Sequence, residues 1–307
     1  MFLVPSSSPC TQTCSDQSLI SPHGFSYHCY ADDTQLILFF PCSQTQVVAR
    51  ISACRADISQ WMSAHQLKLN LDKTELLFLP GKDCPTLDLT INIGTSIVSP
   101  TQTARNLGVI LDNKRSFTAS IAATTRCCRY TLYNIRRIRP QLSQKATQVL
   151  VQALVISRLD YCNSLLAGLP ACAIRPLQVI QNAAARLVFN LPKCSLRSLH
   201  WLPVIARIHF KTMVLAYHAA NGSGPSYIQD MFKLYTPARA LRSASAKQLA
   251  APSLRGGPKF PSAKTCGFAI LAPKWWNELS IEIRIADSLH IFRRRLKTHL
   301  FRLHFER

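Results

Sequence analysis

No apolar run in this sequence approaches the ~18 residues that a membrane-crossing helix needs. No membrane partner is therefore expected. Met1-Phe-Leu-Val4 starts as an apolar stretch, but Pro5 and a serine run end it before it could serve as the core of a secretory signal. Close cysteine framing is missing as well. The twelve cysteines are scattered, with only Cys127 and Cys128 adjacent, which reads as reduced thiols in an intracellular protein, nuclear or cytoplasmic. There is no glycine-rich phosphate loop, no Gly-x-Ser-x-Gly elbow and no internal repeat.

Acidic residues are the other shortage, and it is uneven. Residues 1–113 carry 6 Lys and Arg against 9 Asp and Glu. Residues 114–232 carry 15 against 2, and residues 233–307 carry 15 against 4. A slightly acidic first part followed by a strongly basic remainder implies a polyanion held by the second part. Nucleic acid is the first choice; an anionic membrane surface or simple solubility are the alternatives. At 307 residues the chain is long enough to bury a real core.

Tyr30-Ala31-Asp32-Asp33 stands between two β-prone apolar runs, Phe25 to Cys29 and Thr34 to Phe40. Such flanks predict a β-hairpin with both aspartates at or beside its turn. Adjacent carboxylates repel unless a cation neutralises them, and oxygen ligands of this kind suit Mg²⁺. A solvated Asp-rich turn is the other reading. Downstream come Leu67-Lys-Leu-Asn70-Leu-Asp-Lys73-Thr74-Glu75, then Asn106-Leu107-Gly108-Val109-Ile110-Leu111-Asp112.

Together these three ordered motifs resemble the catalytic hairpin and following palm segments of LINE-type, non-LTR retrotransposon reverse transcriptases. The similarity runs from about Gly24 to the last residues and includes Ser157 to Asn163 and Arg293 to Lys297. It implies Asp32 and Asp33 as metal ligands and catalytic residues, with Mg²⁺ as cofactor. It also implies Lys73 near the nucleotide phosphates, and Tyr30, Asn106, Leu107 and Gly108 beside the primer. A solvated turn is the alternative for Lys73, and a simple bulge for Gly108. An RNA template and DNA primer are the implied partners. In that family a third aspartate, a Pro-Gln-Gly segment and the fingers precede the hairpin, and 29 residues before Tyr30 are too few for them. The expectation is a carboxyl-terminal half that does not polymerise alone, or a non-catalytic basic remnant that binds nucleic acid.

The expected fold class is α+β: a partial palm of antiparallel hairpins with one packed helix, a helical thumb-like region and a basic helical tail. Residues 1–23 read as a disordered leader, 24–113 as the palm and 114–235 as the thumb-like domain. Residues 236–264 read as a basic linker and 265–307 as the tail. Cys10, Cys14, His23 and His28 invite a zinc reading, but the spacing is shorter than a finger requires. With upstream strands missing, an open sheet edge is expected around the first hairpin.

A helix is expected over 44–65, opened by the capping box Ser43-x-x-Gln46. Leu76 to Leu79 reads as a strand, residues 87–98 as a hairpin, and Leu107 to Leu111 as one more strand. From Ser116 the period becomes helical. Phe117, Ile121, Thr124, Cys128, Leu132 and Ile135 mark the inner face, and Arg126, Arg129, Arg136, Arg137 and Arg139 the outer one. Ser143 caps the next helix, whose expected stripe is Ala146, Val149, Leu150, Ala153, Leu154 and Ser157. Further helices are expected over about 174–189, 203–220 and 287–305, the last carrying Arg293, Arg294, Arg295 and Lys297. Those arginines and lysines are the candidate phosphate contacts. Trp275-Trp276 reads either as a core plug or as a platform for stacking bases.

Overall fold

The computed structural model describes residues 2–5, 19–30, 33–40, 46–67, 70, 74–81, 91–93, 96–191, 196–235, 247–250 and 267–306. Helix and antiparallel sheet are both present, which makes the chain α+β at the level of class. It divides into two compact units, Met1–Ala119 and Ser120–Arg307.

In the first unit the expected hairpin forms. Strand β2 (Ser26–Tyr30) pairs antiparallel with β3 (Asp33–Ile37), with Tyr30 opposite Asp33. The open edge expected beside β3 is covered by the chain itself. Strand β1 (Phe2–Pro5) pairs with β3, Phe2 opposite Leu36, and also with β4 (Glu75–Leu76), giving the order β2-β3-β1-β4. At residues 2–5 and 19–23 this corrects the reading of residues 1–23 as an unstructured leader; the rest of that span lies outside the described residues. Phe2-Leu3-Val4 is short but β-prone, and an unpaired ladder is a template for such a segment. A 3₁₀ turn, Ser21–His23, follows the buried Ile20.

Helix α1 (Val47–Ala64) packs its stripe Val47, Ile51 and Cys54 into one core with Ile20, Phe25, Leu36 and Leu76. The helix starts at Gln46, which makes no side-chain cap; Ser43, the expected cap, lies outside the described residues. Burial, reinforced by Asp57, pushes the Cys54 thiol up to about 11, so this cysteine is an inert apolar filler. Arg50 Nη2 donates to the His23 carbonyl at 2.6 Å, and His23 Nε2 meets Asp57 Oδ2 at 2.7 Å. His23 is thereby committed to α1; Cys10 and Cys14 of the zinc reading lie outside the described residues.

Strands β5 (Ile91–Ile93) and β6 (Ser96–Val98) form the second expected hairpin. The third differs from expectation. Strands β7 (Thr103–Asn106) and β8 (Val109–Asp112) pair with Asn106 opposite Val109, so Leu107 and Gly108 are a two-residue turn rather than part of a strand. Both have positive φ, 45° and 81°, the signature of the turn whose twist suits a hairpin. Asp112 ends β8 and organises the loop that follows. Its carboxylate accepts from the backbone N–H groups of Lys114, Ser116 and Phe117 at 2.6–3.1 Å.

The second unit is helical. Helix α2 (Thr118–Ile138) buries Ile121, Thr125, Cys128, Leu132 and Ile135, one position away from the expected Thr124. Ser143 caps α3 (Gln144–Val151) as expected, its side chain accepting from Ala146 N–H. A π-helical turn, Gln152–Ile156, then leads into α4 (Ser157–Asp160). That wide turn changes which face is inside. Thr147, Val151, Val155 and Leu159 are buried, whereas Val149 and Leu154 of the expected stripe are exposed. A four-residue repeat drifts by about 40° per step on an α-helix, and the wider π turn offsets that drift between Val151 and Leu159.

Helices α5 (Ala171–Phe189), α6 (Val204–Ala220) and α7 (Ser226–Gln229) follow, then α8 (Phe268–Glu278), α9 (Ile281–Arg284) and α10 (Leu289–Phe305). The main core joins α6, α8 and α10 through Met213, Ala216, Trp276, Phe292, Leu296 and Leu300. Residues on both sides of the expected linker therefore share one interior. The linker reading itself needs correction at residues 247–250. Leu249 is buried in this core and bridges to Leu234. Asn277 brackets the Leu249 backbone, accepting from its N–H and donating to its carbonyl at 3.0 and 2.9 Å. For the tryptophan pair the core reading holds at Trp276, which is fully buried and donates Nε1–H to the Lys247 carbonyl at 2.8 Å. Trp275 is half-buried against the His209 ring, 4.5 Å between centroids.

Candidate nucleic-acid interface

Helix α2 owes its outer face to the spacing of its side chains. At 100° per residue, Arg126, Arg129, Tyr130, Tyr133, Arg136 and Arg137 fall within an arc of roughly 120°. The buried stripe lies on a separate arc, so all six project away from the core, and each is exposed. Tyr130 and Tyr133 are 69% and 59% exposed, so their rings are presented rather than packed. A basic face interleaved with aromatic rings can hold phosphates and stack on bases or sugars.

Part of that face opens into a groove of about 1020 Å³ between α2 and α5. Arg129, Tyr133 and Arg136 line one side, and Arg186 and Asn190 the other. Among the described residues no acid pairs with any of these arginines. The unit as a whole holds 28 Lys and Arg against 6 Asp and Glu. Tyr130, Tyr133, Arg186 and Asn190 are absent from the sequence-derived candidates. The first two were visible in principle, since they continue the i, i+3, i+4 spacing of the arginines.

Arg139 has a different role from its neighbours. It is half-buried and donates Nε–H to the Leu187 carbonyl at 3.1 Å, Nη1–H to Leu142 at 2.8 Å and Nη2–H to Val188 at 3.2 Å. Two of these carbonyls close the carboxyl end of α5, where a cation is doubly favourable. Arg139 thus builds the groove by fastening α2 to α5, and three of its five N–H donors are already used.

The carboxyl-terminal basic cluster is split in the same way. Arg293, Arg294, Arg295 and Lys297 are all exposed on α10. Arg295 donates Nη1–H to the Glu282 carbonyl. Arg293 and Lys297, one turn apart, share the lining of a second cavity of about 300 Å³. The structure therefore does not gather all the candidate cations on one surface.

No family model, curated protein or solved structure matches this chain.

In the first unit, Asp33 opens β3 and is half-buried, while Tyr30 at the end of β2 is 68% exposed. Asp32 and Lys73 lie outside the described residues. Asn106 is brought to the hairpin: its Nδ2 donates to Gln35 Oε1 at 3.1 Å, two residues along β3 from Asp33. Leu107 and the glycine at 108 form the exposed turn beyond it. Gly108 stands in that turn with positive φ, not inside a strand, which replaces the bulge reading. Asp112, the other acid of that motif, spends its carboxylate on three backbone N–H groups. Among the described residues no three His, Cys, Asp or Glu side chains converge to hold a metal ion. Those residues by themselves do not make up the Mg²⁺ site that the hairpin motif implies.

Among the described residues, no helix is long and apolar enough to cross a membrane.

Proposed function

We propose that the chain descends from a LINE-type reverse transcriptase and that its helical unit holds a nucleic-acid duplex by the backbone. The polymerase lineage rests on the three ordered sequence motifs. The binding reading rests on one observation above all: an exposed face of four arginines and two tyrosines on α2, bordering the groove. Arginine held this way meets phosphates without reading bases, as a template–primer duplex requires. We propose further that the 307-residue chain by itself does not extend a primer, since Asp16 is the sole acid before the hairpin and sits in Cys-Ser-Asp-Gln-Ser, outside any apolar strand pattern.

Fluorescence anisotropy of a labelled RNA–DNA duplex across a salt series tests the binding. If Arg126, Arg129, Arg136 and Arg137 each meet one phosphate, the logarithm of affinity should fall against the logarithm of salt with a slope of about −3.6. A slope near zero would overturn the reading. Mg²⁺-dependent primer extension tests the second clause: incorporation that disappears in Asp33→Ala would refute it.

A further inference from the structure

The 300 Å³ cavity in the helical unit is separate from the groove and chemically two-sided. Lys211, Arg293 and Lys297 line it, and none of them pairs with an acid among the described residues. Arg207 is there too, but its guanidinium is held bidentate by Asp160, with Nε–H to Oδ1 at 2.7 Å. Asn163 forms part of the same lining. It is 2% exposed, its Nδ2 reaches Asp160 Oδ1 at 3.4 Å, and its buried Oδ1 has no hydrogen-bond partner. A buried amide oxygen left unpaired costs about 1–3 kcal/mol, so a donor is called for at that point. Trp201, Leu202, Phe210 and Val214 add an apolar, partly aromatic wall.

From this combination we propose that the cavity is a binding site for a nucleotide bearing a terminal phosphate monoester. Lys211, Arg293 and Lys297 take the phosphate. An exocyclic amine or sugar hydroxyl donates to Asn163 Oδ1, and the base lies along the Phe210 and Val214 wall. The volume is at the small end for ligand cavities, which suits one nucleotide and no more. Neither a bare anion nor a bare nucleoside uses both halves. The source is either a free mononucleotide or the 5′-phosphorylated end of a strand. This reading stands independently of the polymerase lineage, because it uses none of the hairpin motifs.

Isothermal titration of the full chain with adenosine 5′-monophosphate, adenosine and inorganic phosphate provides the test. The monophosphate should bind at least about tenfold more tightly than either part. Lys211→Glu, at an exposed position, should weaken it by at least about tenfold with unchanged thermal unfolding. Arg175→Glu, exposed on α5 and outside both the groove and the cavity, should leave it unaltered. Asn163→Leu should weaken it too; should that variant not fold, the Lys211 result decides. A decamer whose affinity rises on 5′-phosphorylation assigns the site to strand ends, and one indifferent to it assigns free nucleotide. Equal binding of adenosine and its monophosphate, tight binding of phosphate alone, or retention in Lys211→Glu would each overturn the proposal.

Discussion

Replacing Arg129 and Arg136 together by glutamine should remove two phosphate-binding cations and leave the fold alone. Both side chains are exposed on the groove wall, and neither is in an ion pair among the described residues. Every cation that no longer neutralises a phosphate makes the salt slope shallower by about 0.9, so the variant's slope should be near −1.8 rather than about −3.6. Between 50 and 200 mM salt, those slopes correspond to affinity losses of roughly 12-fold for the variant and roughly 150-fold for the parent. Anisotropy with a labelled duplex at five or more salt concentrations resolves the difference. Arg175→Gln, at an exposed site on α5 outside the groove lining, is the matched control and should change the slope by less than about 0.5. If the double variant keeps the parental slope, or if the control loses as much, charge on this face is not what holds the polyanion.

Arg139→Ala should behave in the opposite way. Its hydrogen bonds to the carbonyls of Leu142, Leu187 and Val188 disappear, so urea denaturation should show a loss of about 2–4 kcal/mol with little change in salt slope. His209 should give the helical unit an acid-sensitive component. Burial, with His299 and His304 nearby, lowers it from 6.5 to about 4, and its buried Nε2 has no partner. The unfolded chain binds the proton more readily, so stability is complete above pH 6.5 and falls as the pH drops towards 4, by on the order of 3 kcal/mol. His209→Phe should flatten that part of a thermal-unfolding pH profile; an unchanged profile would refute the assignment. Leu107→Asn should stabilise the first unit by about 1 kcal/mol, because Asn-Gly suits a two-residue turn with positive φ at both positions better than Leu-Gly. A lower melting temperature for this variant would count against that turn geometry.

Where local pattern and tertiary demand coincide, the chain is legible residue by residue. The hairpin around Tyr30 and Asp33, the stripe of α1, the Ser143 cap and the amphipathic α10 all follow from periods of 2 or 3.6 and from capping chemistry. The misreadings come from effects that no window of sequence contains. Thr147, Val151, Val155 and Leu159 look like no regular stripe until a π turn aligns them. Leu107 reads as a strand residue because leucine seldom adopts positive φ, and only pairing of β7 with β8 forces it to. Phe2–Pro5 becomes a strand because β3, about 30 residues later in the chain, offers an unpaired edge.

What the sequence determined alone is the charge division, the hairpin motif and the helical outer face of α2. These depend on residue type and spacing within one element. Tertiary structure decided which cations remain available. Arg139 and Arg126 are indistinguishable by composition, yet the carbonyl end of α5 and its neighbour Leu142 absorb three donors of one side chain, while the other stays exposed. It also decided that Asn163, an ordinary polar residue by its sequence neighbours, sits buried beside Asp160 and Arg207 with an oxygen unpaired. Hydrogen-bond satisfaction is a property of groups brought together from distant positions, and it is settled only when the chain has folded.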